Sequence, residues 1–360
     1  MDPVCIPRLL VTGGTGFVGK ALIQELAGPN PVFTCEEIRV LDIAAPEPSA
    51  EDLFSDPKIT LYRGDIRNTE LLREAMEGVD AVIHLASMVD WGTHTREEVF
   101  SVNVEGAEKV ILTAREAGTG VFVFTSSLDA ICNGKPIVDE DETISYPDSF
   151  PNYYCESKAE GERLVRKYAS DDFRITALRP SGVYGEADPF HITALVEMAE
   201  KGPYVRIGSG KSLCQHVYVG NVAHAHLLAC RALWQGNTTP NGEVYFLTDS
   251  PPKNFFTFLD TIVEGAGYEI KPKNVWIPKP LMWIAGTIAE GIAFILRPFI
   301  RMNPRVSRFA VNYTCNDFTF SGDKARRDFG YTPKYNEEEA FARTVEYFRC
   351  YGPVKRNACL

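Results

Sequence analysis

A chain of 360 residues is long enough to bury one large core or two smaller ones, and 45% hydrophobic with 24% charged residues is the balance of a folded protein. A net charge of −11 excludes a general nucleic-acid binder, because neutralising phosphates takes clustered Lys and Arg. Nine cysteines lie singly with no CxxC pair, which points to reduced thiols rather than a disulfide framework. The first residues, MDPVCIPRLL, carry no secretory-signal pattern, and Cys359 is misplaced for a prenylation box.

In chain order, RLLVT, IRVLD, ITLYRGD, AVIHLAS and VFVFTSS are short, β-branched-rich runs that predict strands. Between them, Lys20–Ala27, Thr69–Met76 and Glu97–Ala117 carry apolar residues at helical spacing. Strand and helix alternating in this way predict a doubly wound parallel sheet of the Rossmann type, covered on both faces. Further on, ITALRP and VYFLTD predict strands, VEMAEKG a helix, and HVYVGNVAHAHLLACRAL a strand running into a helix. From Pro251 the pattern is mostly helical. The division this suggests is a dinucleotide-binding domain over 1–185 plus about 217–248. A smaller, partly interleaved substrate lobe takes about 186–216 plus 249–360.

LLVTGGTGFVGKALIQEL sets Gly13, Gly16 and Gly19 between a strand and a helix. Glycine is needed there for the tight turn, for close approach of a pyrophosphate and for helix–strand contact, with the phosphates against backbone N–H groups at the helix start. Asp42 ends the next strand. A carboxylate there takes ribose hydroxyls and repels a 2′-phosphate, which favours NAD over NADP, although aspartate is also a common turn residue. Asp65 in YRGDI either reaches an adenine or caps its turn.

In SFPNYYCESKAEGERL, Tyr154 and Lys158 stand four residues apart. From Asn152 on, no Pro or Gly interrupts the segment before Gly161, so both lie on one helix face, with Tyr153 about 100° away. A second Tyr-x-x-x-Lys, Tyr351 to Lys355, contains Gly352-Pro353 and breaks as a helix. Ser127 ends the strand VFVFTSS. Strand ends and following helix starts share the ligand edge of such a sheet, so Ser127 and Tyr154 should converge there.

TGGTGFVG, Asn103, TSS, YYCESK and LRPSGVYGE, in this order, resemble the extended short-chain dehydrogenase/reductase superfamily over essentially the whole chain. The resemblance implies that Tyr154 is the acid/base, that Lys158 holds the nicotinamide ribose and lowers the Tyr pKa, and that Ser127 binds the reacting oxygen. It further implies cofactor contacts from Phe17, Val18, Ile66, Ala86, Asn103 and Pro180. Asn103 is either the superfamily's structural or relay residue, or serves its own helix.

VYVGNVAHAHLLACRAL, FTFSGDKARRDFGYTPKY and EEAFARTVEYF are similar to the 3β-hydroxysteroid dehydrogenase family, including its sterol-4α-carboxylate 3-dehydrogenase branch. The resemblance implies oxidation of a 3β-hydroxy sterol or steroid to the 3-ketone. The motifs divide between branches, since NYYCESK looks like the decarboxylating one and MVDWGTH and LRPSGVYGE like the steroidogenic one. Neither isomerisation nor decarboxylation is assigned. A sugar-nucleotide epimerase or small-ketone reductase is the alternative enzyme, and an NAD-sensing interaction protein the non-catalytic one.

Residues 281–300, LMWIAGTIAEGIAFILRPFI, fall short of the ~20 apolar residues of a spanning helix. They suit either a helix lying on a bilayer surface or a buried core helix. Arg297, Arg301, Arg305 and Arg308 follow with no acidic partner in the local sequence and suit anionic head groups or a solvated face. The expected location is the cytoplasmic face of an intracellular membrane, the endoplasmic reticulum first. A homodimer is an analogy with the superfamily, and the six histidines show no metal-ligand pattern.

Overall fold

The computed structural model describes residues 4–296, 299–300 and 306–352. Arg297, Arg301, Arg305, Lys355 and Cys359 lie outside these. Seven strands build the central sheet: β1 (Arg8–Thr12), β2 (Glu37–Asp42), β3 (Ile59–Arg63), β4 (Ala81–His84), β5 (Val121–Thr125), β6 (Arg174–Pro180) and β7 (Val244–Leu247). Their order is β7-β6-β5-β4-β1-β2-β3, and every neighbouring pair is parallel. Strands buried on both faces can be apolar throughout, as Leu9, Leu10 and Val11 are in β1 and Val121 to Phe124 in β5. Strand order reverses beside β1, whose neighbours are β2 and β4. The carboxyl ends of β1 and β4 therefore open the crevice where such sheets bind ligands.

The helices that position the site or border it are α1 (Phe17–Ala27), α2 (Thr69–Met76), α3 (Ala107–Glu116), α4 (Tyr153–Tyr168), α5 (Ile192–Lys201), α6 (Val219–Trp234), α7 (Phe255–Gly265), α8 (Lys279–Leu296) and α9 (Arg308–Cys315). The single helix expected over Glu97–Ala117 is instead three pieces. Arg96–Phe100 and α3 flank a π-helical turn, Ser101–Gly106, which adds a residue and turns Asn103 inward. Outside the main sheet, Gly182–Tyr184 pairs with His216–Tyr218, Arg206–Ile207 with Trp276–Ile277, and Ile137–Glu140 with Phe318–Phe320. The last of these joins the two halves of the chain.

The described part of the segment from 281 is largely exposed rather than a core helix. Leu281, Ile284, Ile288, Ile292 and Ile295 recur at helical spacing on α8, and all are exposed, Ile295 to 71%. Among the described residues no helix is long and apolar enough to cross a membrane. Arg308 is not without an acidic partner: its Nε meets Glu290 Oε2 at 2.6 Å and its N–H donates to Oε1 at 2.6 Å. The two residues are far apart in sequence and meet because α9 packs back on α8. The eight cysteines among the described residues are free.

Candidate active site

The loop after β1 is built for a tightly approached anion. Gly13 has φ +73°, and a Cβ there would sit 2.6 Å from the Ala86 nitrogen at the exit of β4. At Gly19 a Cβ would fall 2.3 Å from the Gly13 carbonyl oxygen, so α1 packs on the loop backbone itself. Gly16 is also closely approached, a Cβ there falling 3.3 Å from the Gly13 carbonyl oxygen, and it caps α1 without any side chain accepting from the first-turn N–H groups. Those amides, at Phe17, Val18 and Gly19, belong to the helix end that carries partial positive charge. Asp42 accepts from Thr15 N–H at 3.1 Å and from Ala44 N–H at 3.0 Å, which fixes its carboxylate against the loop. Lys20, the nearby cation, pairs with Glu47 at 3.4 Å. This cradle fits a dinucleotide pyrophosphate with a ribose at Asp42.

Asp65 is engaged by its own turn. It accepts from the Arg67 backbone N–H at 2.8 Å and pairs with the Arg67 guanidinium at 2.6 Å, and that pairing holds its carboxyl below the usual range. Ile66 is buried beside Gly106. Pro180 ends β6, next to the β5 exit.

Asn103 uses its whole amide. Oδ1 accepts from Met88 N–H at 2.7 Å and Ser87 Oγ at 3.2 Å, while Nδ2 donates to Met88 O at 2.9 Å and Ser157 Oγ at 3.0 Å. It clamps the β4 exit to α4, so in this conformation it is a structural residue.

Ser127, Tyr154 and Lys158 do converge. Asn152 caps α4, accepting from Cys155 N–H at 2.9 Å, which starts the helix just before Tyr154. Tyr154 is 7% and Lys158 4% exposed, whereas Tyr153 faces outward as its helical position requires. Lys158 Nζ donates to Thr125 O at 2.9 Å and stands 5.6 Å from the centre of the Tyr154 ring. Burial lowers its pKa to about 8, although Asp129 and Glu162 pull upward. Ser127 is the one neighbour that eases ionisation of the Tyr154 hydroxyl. Burial and then the nearby Asp129 push Tyr154 above its ordinary value, with only Ser127 opposing. Lys158 is not among the causes of this shift, in which desolvation comes first.

Three neighbours had no clear signal in the sequence. Asp129, two residues past Ser127, accepts from Ser127 Oγ at 2.9 Å. Glu162, one turn beyond Lys158, is fully buried and takes Arg179 Nε at 2.7 Å and Nη2 at 2.6 Å, with Ser126 and Tyr146 donating to the same carboxylate. His84 hydrogen-bonds Thr12 Oγ1 at 2.7 Å, and burial with Lys158 nearby lowers it to about 3, so it is neutral. The helical i, i+4 step from Lys158 to Glu162 was the one cue available for the second. Across the site, His191 stacks on Tyr313 at 6.0 Å, with Trp91, Phe190 and Phe255 around it.

The profile of the 3-beta hydroxysteroid dehydrogenase/isomerase family matches residues 10–278. The chain belongs to this family. A 3-beta-hydroxysteroid dehydrogenase of Mycolicibacterium neoaurum is 32% identical over 353 residues, covering 95% of this chain and 91% of that protein. The decarboxylating sterol-4-alpha-carboxylate 3-dehydrogenase of Mus musculus is also 32% identical, over 345 residues with the same shares. Overall identity therefore does not choose between the branches. The fold is that of a dTDP-glucose 4,6-dehydratase of Streptomyces venezuelae solved with NAD, at TM-score 0.72 and 23% identity over 95% of this chain and 97% of that one.

Proposed function

We propose that this member of the 3β-hydroxysteroid dehydrogenase family oxidises the 3β-hydroxyl of a sterol or steroid to the ketone, with NAD as the hydride acceptor. The observation that carries this is the convergence of part-buried Ser127 with buried Tyr154 and Lys158 at the carboxyl edge of the sheet that also carries the Gly13–Gly19 cradle. Aromatic rings at Trp91, His191, Phe255 and Tyr313 suit a flat apolar alcohol. Asp42 and the Lys20–Glu47 pair support NAD over NADP, since the nearby Lys20 is paired with a carboxylate rather than held for a 2′-phosphate.

In the reaction, the alcohol carbon gives up a hydride and the alcohol oxygen a proton. A bound nicotinamide cofactor would supply the hydride acceptor. Tyr154 takes the proton, and Ser127 donates a hydrogen bond to the same oxygen. A free tyrosine titrates near ~10, so a useful base near neutrality needs about three units of lowering, roughly 4 kcal/mol. Burial works against that, which leaves Lys158 and the positive ring of the bound cofactor to supply it. Lys158 is the cation in place, and it keeps its charge only below about pH 8.

The exposed stripe of α8 supports docking on a membrane surface, which we propose to be the cytoplasmic face of an intracellular membrane such as the endoplasmic reticulum. A homodimer is proposed on superfamily analogy alone. The testing experiment is NADH fluorescence from purified protein given NAD or NADP and a panel of 3β-hydroxy sterols, with and without a 4α-carboxylate, with product masses recorded. NADH formed with NAD and a sterol supports the reading, and loss of carbon dioxide or a shifted double bond selects the branch. Saturable NAD binding with no turnover of any sterol would overturn it in favour of a sugar-nucleotide or small-ketone substrate.

A further inference from the structure

The end of β5 is only half tethered by the sheet. Its last pairing with β4 is Phe124 to His84, so on that side Thr125 lies one residue beyond the ladder. On the other side Thr125 pairs with Leu178 of β6. Backbone beyond a ladder keeps torsional freedom unless side chains remove it. Yet the Thr125 carbonyl is the group that Lys158 uses, with Nζ donating to it at 2.9 Å. The peptide that orients the Lys158 ammonium therefore has to be fixed from outside the β4 ladder.

His226 supplies that hold. It is fully buried on α6, with Nδ1 2.7 Å from the Val222 carbonyl oxygen and Nε2 2.8 Å from Thr125 Oγ1. A carbonyl has no hydrogen to give, so Nδ1 carries the ring proton and Nε2 presents a lone pair. Thr125 then donates its hydroxyl hydrogen to Nε2. Burial lowers the His226 pKa to about 4, which keeps the ring neutral and fixes this direction of donation. Threonine is branched at Cβ, so holding Oγ1 holds χ1 and the peptide to which the side chain is attached. The next residue is gripped from the opposite face, since Ser126 Oγ donates to Glu162 of α4.

We propose that His226 is a positioning residue of the hydride-transfer site, holding Thr125 so that its carbonyl fixes the Lys158 ammonium beside the Tyr154 ring. The inference rests on the oxidoreductase reading of this site, in which Lys158 holds the nicotinamide ribose. Fully buried, His226 acts through Thr125 alone.

The ammonium depends heavily on this one bond. Among the described residues Thr125 O is its hydrogen-bond partner, while the ring centres of Tyr154 and Phe124 stand 5.6 and 5.5 Å from Nζ. The charged and titratable groups around it are Asp129 in the turn after Ser127, Tyr154 and Glu162 on α4, and His84 at the end of β4. A buried ammonium is costly unless its donors are satisfied, so loosening the Thr125 bond favours the neutral amine.

The test uses the full-length protein and three substitutions. His226→Phe keeps a ring and removes the acceptor, His226→Gln puts an amide oxygen in the place of Nε2, and Thr125→Val removes the hydroxyl at nearly constant shape. The first arm needs no sterol. It is NAD affinity by calorimetry across pH, taken at each pH as the ratio to Lys158→Met. In wild type this ratio should fall as pH rises through about 8, where Lys158 loses its charge. In His226→Phe and in Thr125→Val it should fall about one pH unit lower, the size of one weakened hydrogen bond to a charged group. The double variant should shift no further than either single one, because both break the same contact. His226→Gln should return toward wild type. In the second arm, kcat for sterol-dependent NADH formation should drop about tenfold in the Phe and Val variants with KM little changed, and recover in Gln.

An unshifted NAD profile in Thr125→Val would overturn the proposal, and that variant decides alone if His226→Phe does not fold. Shifts that add in the double variant would also overturn it, as would an affinity loss equal at all pH values, which is the mark of loosened packing. Absence of sterol turnover in wild type would sink the parent reading, and the binding arm would still decide the role of His226.

Discussion

Two helices of this protein reverse the usual distribution of side chains. α4 is polar in composition and carries Tyr154, Ser157, Lys158 and Glu162 into the interior. α8 is the more apolar helix, and it turns Leu281, Ile284, Ile288, Ile292 and Ile295 outward. A buried polar residue and an exposed apolar stripe both cost stability, so each marks a place where something other than folding is served. Inside, the polar groups find one another across the fold. Outside, the apolar ones stay exposed among the described residues.

The comparison breaks most sharply at Glu162. Glu162→Gln leaves Arg179 buried with a neutral partner, and should cost roughly 3–5 kcal/mol in a urea titration. A loss below about 1 kcal/mol would mean that the Glu162–Arg179 pair is not what holds α4 against β6.

Asp129 gives the same interior a pH signature. Its folded pKa is raised, so its contribution to stability is fully present below the unfolded value and is lost as pH rises through the folded one. Asp129→Asn should therefore melt higher than wild type near neutral pH and lose that advantage in acid. An advantage equal at all pH values would contradict the burial of an ionisable acid there.

Outside, the effect on stability should be small and the effect on binding large. Ile284→Glu, Ile288→Glu and Ile292→Glu combined should abolish flotation with phosphatidylcholine–phosphatidylserine vesicles at low salt. Each exposed change should alter stability by no more than about 0.5 kcal/mol. Undiminished flotation of the triple variant would remove α8 as the docking face. A comparably small effect on stability belongs to Glu290→Gln, which weakens a partly exposed pair with Arg308. After solvent screening it should cost at most about 1 kcal/mol by thermal melting.

Much of this is legible in the chain itself. The sheet strands are apolar runs because both their faces are covered, and the glycine loop and the Tyr154–Lys158 step are local patterns. What stayed hidden is what the fold assembles from distant segments. Asp129 looks like an ordinary turn aspartate until Tyr154 and His191 close over it. Arg308 looks unpaired until α9 returns it to Glu290, and Asn103 turns inward only because a π turn adds a residue to its helix. Lys158 was legible as the partner of Tyr154, but the desolvation that raises both stakes of that pairing is a property of the packed interior.

The most direct measurement is the steady-state rate of NADH formation from a 3β-hydroxy sterol by wild type and Tyr154→Phe side by side, with NAD affinity and melting temperature recorded for both. The account predicts a loss of about 10²–10⁴-fold in kcat, with cofactor affinity and stability little changed. A Tyr154→Phe variant that turns over sterol at the wild-type rate would contradict it.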